Sequence, residues 1–473
     1  MKNISLLLLL LSVSFNSFSQ VKISGKVIHP PKNAKVSISY YDNKILTNRI
    51  DAGSTQLDGK GNFQISFDLN QSVEGDLIID NQMTMLYLVP GDSLFVTMDF
   101  NNFDSTLSYS GKGAADNNYM AKEFFLDLQN TSSSYSKFSD EVLFTNFIDS
   151  VENMNHQFFN SNRSDNFTTE FNKYIIAKNK YRFIDSRYLF SLKIDIQSMS
   201  VSEKIVSAHY FDFIDKIDFN DQDAVNVTEY QVALIRYFYQ KHDGKTRSLF
   251  SDTLPEAERN KLIFANNYNY RKSVSKGKVL DRVLSEKMID IIEELIDETA
   301  FVDSIMNDFR SSCKNPDYIN EINQNYKIAC ALKKGLPAPD FTLVDDKGEK
   351  ISLSSFKDKV VYIDFWATHC VPCLGQMPKS KVLMEKFKDN PDVAFIFVNV
   401  KDNMNTWKNY ISKNKSKGQQ LFANKSESKI LETNFNFDGI PHYVLINKDG
   451  TIIDSDAETP GLIEPQIRLL LQQ

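Results

Sequence analysis

Two cysteines three positions apart close the stretch Trp366-Ala367-Thr368-His369-Cys370-Val371-Pro372-Cys373. An apolar run, Val360-Val361-Tyr362-Ile363-Asp364-Phe365, precedes them and a helical pattern follows, so the pair stands at a strand-to-helix junction. That placement suits disulfide exchange. The first thiol meets unpaired backbone N–H groups and the positive end of the helix dipole, which favour the reactive thiolate. The second thiol can then attack a mixed disulfide formed at the first. Cys370 is expected to be the nucleophile and Cys373, deeper in the helix, the resolving thiol; the alternative is an inert pair or a static disulfide. Pro372 fits the first helical turn, where its missing N–H costs nothing.

Other residues nearby carry chemistry of their own. Asp364 interrupts an apolar strand, and a buried carboxyl without a cation holds its proton near neutral pH, so it can relay a proton to or from Cys373. It could instead simply cap a backbone N–H at the strand end. Gly439-Ile440-Pro441 precedes a strand-like run, His442 to Asn447, which makes the Ile440–Pro441 bond a candidate for the cis form. Backbone left free around Ile440 can pair with an extended substrate segment. His369 directly precedes the nucleophile. As a cation it favours the thiolate and makes the disulfide more oxidising; otherwise it is an exposed polar residue.

The elements that hold these residues belong to a long chain. Its 473 residues exceed one core and predict about three domains. At 42% hydrophobic and 24% charged the composition is that of a globular protein, and a formal net charge of -7 offers nucleic acid no footprint. Lys2, the apolar run Ile4 to Val13 and the small residues of Ser17-Phe18-Ser19 read as a signal peptide cleaved after Ser19, with an uncleaved anchor as the alternative. The chain is therefore expected to be exported, to a periplasm where thiols are not simply held reduced.

From Val21 to Gly113 the pattern has period 2, as in Val36/Ile38/Tyr40 and Phe63/Ile65/Phe67, broken by Asp58-Gly59, Lys60-Gly61 and Pro90-Gly91-Asp92. This predicts an antiparallel β-sandwich of seven or eight short strands over 20–113, after a signal peptide at 1–19. A helical region is predicted over 114–333, where Val279, Leu280, Val283, Leu284, Met288, Ile291, Ile292 and Leu295 share one face and Tyr230 to Tyr239 shows a similar stripe. An α/β domain fills 334–473. There, helices are predicted over Cys373 to Lys388, Asn403 to Lys415 and Pro460 to Gln472, and Leu336 to Leu343 reads as a linker leading into an edge strand. The whole is a multidomain chain.

Ala338-Pro339-Asp340-Phe341, the strand ending in Asp364-Phe365-Trp366-Ala367-Thr368, the Cys370-Val371-Pro372-Cys373 motif and Gly439-Ile440-Pro441 together resemble the TlpA/ResA-like thioredoxin-fold oxidoreductases of bacterial envelopes. The resemblance spans roughly Leu336 to Gln473. It implies a thioredoxin fold for 334–473, a buried acid at Asp364, a helix-kinking proline at Pro378, and a Pro441 that keeps metal off the dithiol. It also implies a substrate surface including Ile440, Pro441 and Trp366. Relatives commonly carry tryptophan where His369 stands and an acid where Gln376 stands, so these two positions are candidates for tuning the site. Tyr87-Leu88-Val89-Pro90-Gly91-Asp92 looks like the β-rich module found ahead of such domains.

The implied activity is that of an exported thiol-disulfide oxidoreductase, more reductase than oxidase, with no cofactor beyond a redox-active Cys370–Cys373 disulfide. Its expected partners are envelope proteins with disulfides or thiols and a membrane thiol electron donor, and no nucleic acid. A thiol peroxidase of the peroxiredoxin type is the alternative, opposed by Ala367 where a hydroxyl is wanted and by Arg468 as the single arginine after Gly335. A metal-delivery module using the dithiol with His369 or His442 suits soft ions but conflicts with the shielding proline. The even cysteine count admits a second bridge, Cys313 to Cys330. A helix over Asp317 to Leu332 would place those sulfurs about 20 Å apart, which favours two buried, inert thiols.

Overall fold

The computed structural model describes residues 19–42, 45, 49–130, 138–195, 200–250 and 253–472. The expected signal peptide, apart from Ser19, lies outside the described residues. The chain divides into two compact units, one of Met1–Asp195, Ser200–Lys245 and Ser275–Val279, the other of Ile196–Met199, Thr246–Val274 and Leu280–Gln473.

In the first unit eight strands follow the period-2 pattern: β1 (Ser19–Ile28), β2 (Lys35–Tyr41), β3 (Arg49–Gln56), β4 (Asn62–Leu69), β5 (Val73–Ile79), β6 (Gln82–Leu88), β7 (Ser93–Asp99) and β8 (Ser108–Lys112). They form two four-stranded sheets, in the orders β4-β1-β7-β8 and β3-β2-β5-β6. Along β1, Val21, Ile23 and Val27 are buried while Lys22 and Lys26 point to solvent. The inward residues of both sheets meet in one apolar cluster that includes Ile23, Val36, Leu77 and Val96. At Gly25 the strand has no room for a side chain: a Cβ would lie 2.6 Å from the Val96 carbonyl oxygen. The expected all-antiparallel arrangement is corrected at one place, because β1 runs parallel to β7. No hairpin links these strands; the chain completes the other sheet between them, so their direction is free of turn geometry.

The same unit continues through α1 (Ala114–Asn130), α2 (Glu141–Asn162), α3 (Thr169–Tyr181), α4 (Ile184–Phe190), a short hairpin of β9 (Leu192–Asp195) with β10 (Ser200–Glu203), and α5 (Thr228–Phe238). Glu123 of α1 is buried and accepts from Lys178 at 2.9 Å and Arg182 at 3.0 Å. The helices between 114 and 333 are thus shared between the two units.

The second unit begins with α6 (Glu256–Val274), α7 (Gly277–Leu295), which starts in the first unit, α8 (Thr299–Ser312) and α9 (Pro316–Ala331). The stripe predicted on α7 is buried except at Leu280, which is half-buried. Strands β11 (Thr342–Asp345), β12 (Lys350–Ser352), β13 (Val360–Trp366), β14 (Val393–Asn399), β15 (Gln419–Phe422), β16 (His442–Ile446) and β17 (Ile452–Asp454) form one sheet in the order β12-β11-β15-β14-β13-β16-β17. The helices of this region are α10 (Val371–Lys386), α11 (Met404–Asn414), α12 (Lys425–Asn434) and α13 (Glu464–Leu471). The strand after Pro337 and Pro339 is not at an edge: β11 pairs with both β12 and β15. Its prolines precede the strand and leave its donors intact.

Candidate active site

The site is delivered by β13, an interior strand of the sheet, which is parallel to β14 on one side and antiparallel to β16 on the other. All seven of its residues are buried, as an apolar strand covered on both faces must be. The chain leaves it at Trp366 and turns through Ala367 to His369, closed by the Cys370 N–H donating to the Ala367 carbonyl at 3.2 Å. Helix α10 then starts with Cys370 as its N-cap residue and Pro372 in its first turn. The Cys373 N–H donates to the Cys370 sulfur at 3.1 Å, which satisfies a donor that the helix start would otherwise leave unpaired.

The two cysteines form a disulfide with a Cα–Cα distance of 5.3 Å. Cys370 is 8% exposed and Cys373 is 1% exposed, so an approaching molecule meets the first sulfur. The Ile440–Pro441 bond is cis, and the Ile440 carbonyl oxygen lies 3.5 Å from the Cys370 sulfur. Val371 and Gly439 stand exposed at the surface, and Ile440 and Pro441 are half-buried. Pro378 lies inside α10.

Asp364 is 2% exposed, opposite Phe397 of β14 and Tyr443 of β16. Its Oδ1 has no hydrogen-bond partner among the described residues. Burial alone pushes this carboxyl up to about 8, so it holds a proton at neutral pH. It shares a strand face with Tyr362 and Trp366, the face on which Tyr362 packs with Leu383 of α10. Gln376, one turn beyond Cys373, is half-buried with its Oε1 unpartnered among the described residues.

Two expectations change. Trp366, expected on the substrate surface, is 1% exposed and packs on Tyr410 with ring centroids 5.2 Å apart. It supports the dithiol from within, because the last residue of a doubly covered strand faces the core. Cys313 and Cys330 are both free; Cys313 is buried, but Cys330 is only half-buried. Burial pushes the Cys313 thiol up to about 11.

His442, the residue after the cis proline, is buried and stacks on Phe437 with centroids 4.8 Å apart. Its Nδ1 lies 3.4 Å from Asp456. Among the described residues no group of three or more His, Cys, Asp and Glu side chains is placed to hold a metal ion.

Sequence reasoning overlooked Asp402, in the loop after β14. Its side chain is 6% exposed and accepts from Thr368 N at 2.6 Å, Thr368 Oγ1 at 2.8 Å, Asn399 Nδ2 at 2.6 Å and His369 Nδ1 at 3.2 Å. Burial raises this carboxyl, but the hydrogen bonds from Asn399, Thr368 and His369 outweigh it and hold it below its ordinary value. The Asp402 carboxylate is therefore ionised, and His369, 63% exposed at its side chain, carries its proton on Nδ1.

A capped dithiol beside a cis proline, on an interior strand with a buried acid, defines a thiol-disulfide oxidoreductase domain. Residues 333–466 match the Redoxin family model. Residues of this chain are 32% identical over 123 positions to a thiol-disulfide oxidoreductase ResA of Bacillus cereus, covering 26% of this chain and 69% of that protein. The ResA of Bacillus subtilis (strain 168) is 29% identical over 124 residues, 26% of this chain and 66% of that one. A solved thioredoxin domain of a thiol-disulfide oxidoreductase from Bacteroides vulgatus is 28% identical, covering 29% of this chain and 99% of that chain, with a TM-score of 0.28. The chain belongs to the ResA family of thiol-disulfide oxidoreductases.

Proposed function

We propose that this protein is an exported reductant that exchanges disulfides with proteins of the cell envelope through Cys370 and Cys373. The observation that carries the reading is the position of Cys370: at a helix N-cap, taking the Cys373 N–H, beside the Ile440 carbonyl, and the more exposed of the two sulfurs. In the dithiol form the Cys370 thiolate attacks one sulfur of a substrate disulfide, and the other substrate sulfur leaves as a thiolate. Cys373 loses its proton and attacks the Cys370 sulfur, releasing the second substrate thiolate. Two electrons pass to the substrate and the Cys370–Cys373 disulfide forms. A thiol donor at the membrane restores the dithiol, and no other cofactor is required.

In its ionised fraction Asp364 takes the proton from Cys373 in this direction, and in its protonated form it returns one in the other. Ile440 and Pro441 hold the substrate backbone by strand pairing, while His369 and Gln376 tune the thiol pair. We take residues 1–19 as the export signal, 20–113 as a β-sandwich, 114–333 as helical and 334–473 as the redox domain, the last boundary being supported by the start of the family match. The redox domain then works in the periplasm. No helix among the described residues is long and apolar enough to cross a membrane.

The test is reduction of insulin by the purified protein with dithiothreitol. Turnover is expected in the native protein and none in Cys370→Ser; an unchanged rate in that variant overturns the reading.

A further inference from the structure

We propose that Asp402 is a positioning residue for exchange at Cys370, holding the Thr368–His369 turn in the attitude that presents the nucleophile; this rests on reading Cys370 as the attacking thiol. The carboxylate comes from a different segment of chain than the dithiol and reaches the turn only because β13 and β14 pair, with Trp366 beside Asn399. Three of its four donors belong to the turn itself: Thr368 N, Thr368 Oγ1 and His369 Nδ1. The fourth, Asn399 Nδ2, ties it to the end of β14, where Asn399 is fully buried.

Four donors on one small group can be met only by an acceptor with two oxygens. An amide of the same shape offers one oxygen, and its NH2 would face donors. The turn so held is the one closed by Cys370 N–H on the Ala367 carbonyl, and its closure sets Cys370 where its sulfur takes the Cys373 N–H. Slack in the turn therefore weakens the stabilisation of the thiolate, and with it that of the dithiol form. His369 is mostly exposed and has no wall to fix it; the carboxylate does so.

The experiment follows alkylation of Cys370 by iodoacetamide in the reduced full-length protein, from about pH 4 to 9, together with its equilibrium against glutathione. In Asp402→Asn, alkylation near pH 6 is expected to slow about three- to tenfold, its midpoint to move up, and the glutathione equilibrium to shift toward the protein disulfide. Asp402→Glu, which keeps both oxygens, should recover most of the change. A folded Asp402→Asn protein, judged by circular dichroism, with an unmoved profile and equilibrium overturns the proposal. If that variant does not fold, Thr368→Val, which removes only the uncharged hydroxyl donor to the carboxylate, replaces it: a smaller shift in the same direction supports the proposal, and none overturns it. Alkylation needs no protein substrate, so inactivity of the native protein toward insulin would count against the proposed function alone.

Discussion

The sulfur of Cys370 and the backbone N–H of Cys373 are 3.1 Å apart, so each cysteine is a partner in the other's chemistry before any substrate arrives. The first sulfur is the reachable one and the second is enclosed. Replacing the second should leave capture intact and block release. Cys373→Ala is expected to accumulate a mixed disulfide between Cys370 and a substrate, seen as a reducible adduct by mass spectrometry. Absence of that adduct with an oxidised protein substrate in excess would exclude the assigned order of attack.

Asp364 links the site to stability. Burial raises its carboxyl from the ordinary 3.8 to about 8. The folded protein therefore keeps a proton that the unfolded chain releases, and the stability present below about pH 4 declines as pH rises toward about 8. Asp364→Asn should remove that decline, raising stability at pH 8 on the order of a few kcal/mol and hardly at all at pH 4. Thermal melts of the oxidised proteins at the two pH values check this; equal differences at both would contradict it. Turnover near neutral pH should fall in the same variant.

The thiols outside the site should separate by accessibility. With Cys313 buried and its thiol pushed up to about 11, it should resist a disulfide reagent at pH 7 until denaturant is added. Cys370 in the reduced protein should react at once. Rapid labelling of Cys313 in the native state, located by peptide mapping, would show its surroundings to be open.

Gly25 gives a test confined to the front sheets. A Cβ there would meet the Val96 carbonyl at 2.6 Å and the Phe63 ring at 2.7 Å, and neither backbone nor packed ring yields cheaply. Gly25→Ala should cost about 3 kcal/mol, read from urea unfolding. A change within a few tenths of a kcal/mol would mean that the strands part easily.

Much of the redox domain was legible because its strands are apolar runs and its dithiol lies where strand becomes helix. Helix α10 begins two residues before the predicted start, since the Cys370 sulfur itself caps it. Strand β15 and helix α12 went unread: the strand has four residues, too few to show a period. The helix did carry a signal, the reciprocal capping of Asn424 and Glu427. Asp402 was illegible for another reason. It lies 34 positions from Thr368 and meets it through strand pairing, which no local pattern records. Trp366 was misread because a motif neighbour was taken for a surface neighbour, whereas the pleat turns it inward.

The parallel pairing of β1 with β7 sets a timetable for the front of the molecule. Lys22 is matched to Ser93 and Ile28 to Asp99, so the earliest strand to emerge has to wait about 70 residues for its mate. Contacts this distant in sequence make assembly slow, and until β7 arrives one long edge of β1 stays bare. A chain built this way is exposed to mispairing while it is being made, and it favours a route on which the segment is kept extended until the seventh strand is present.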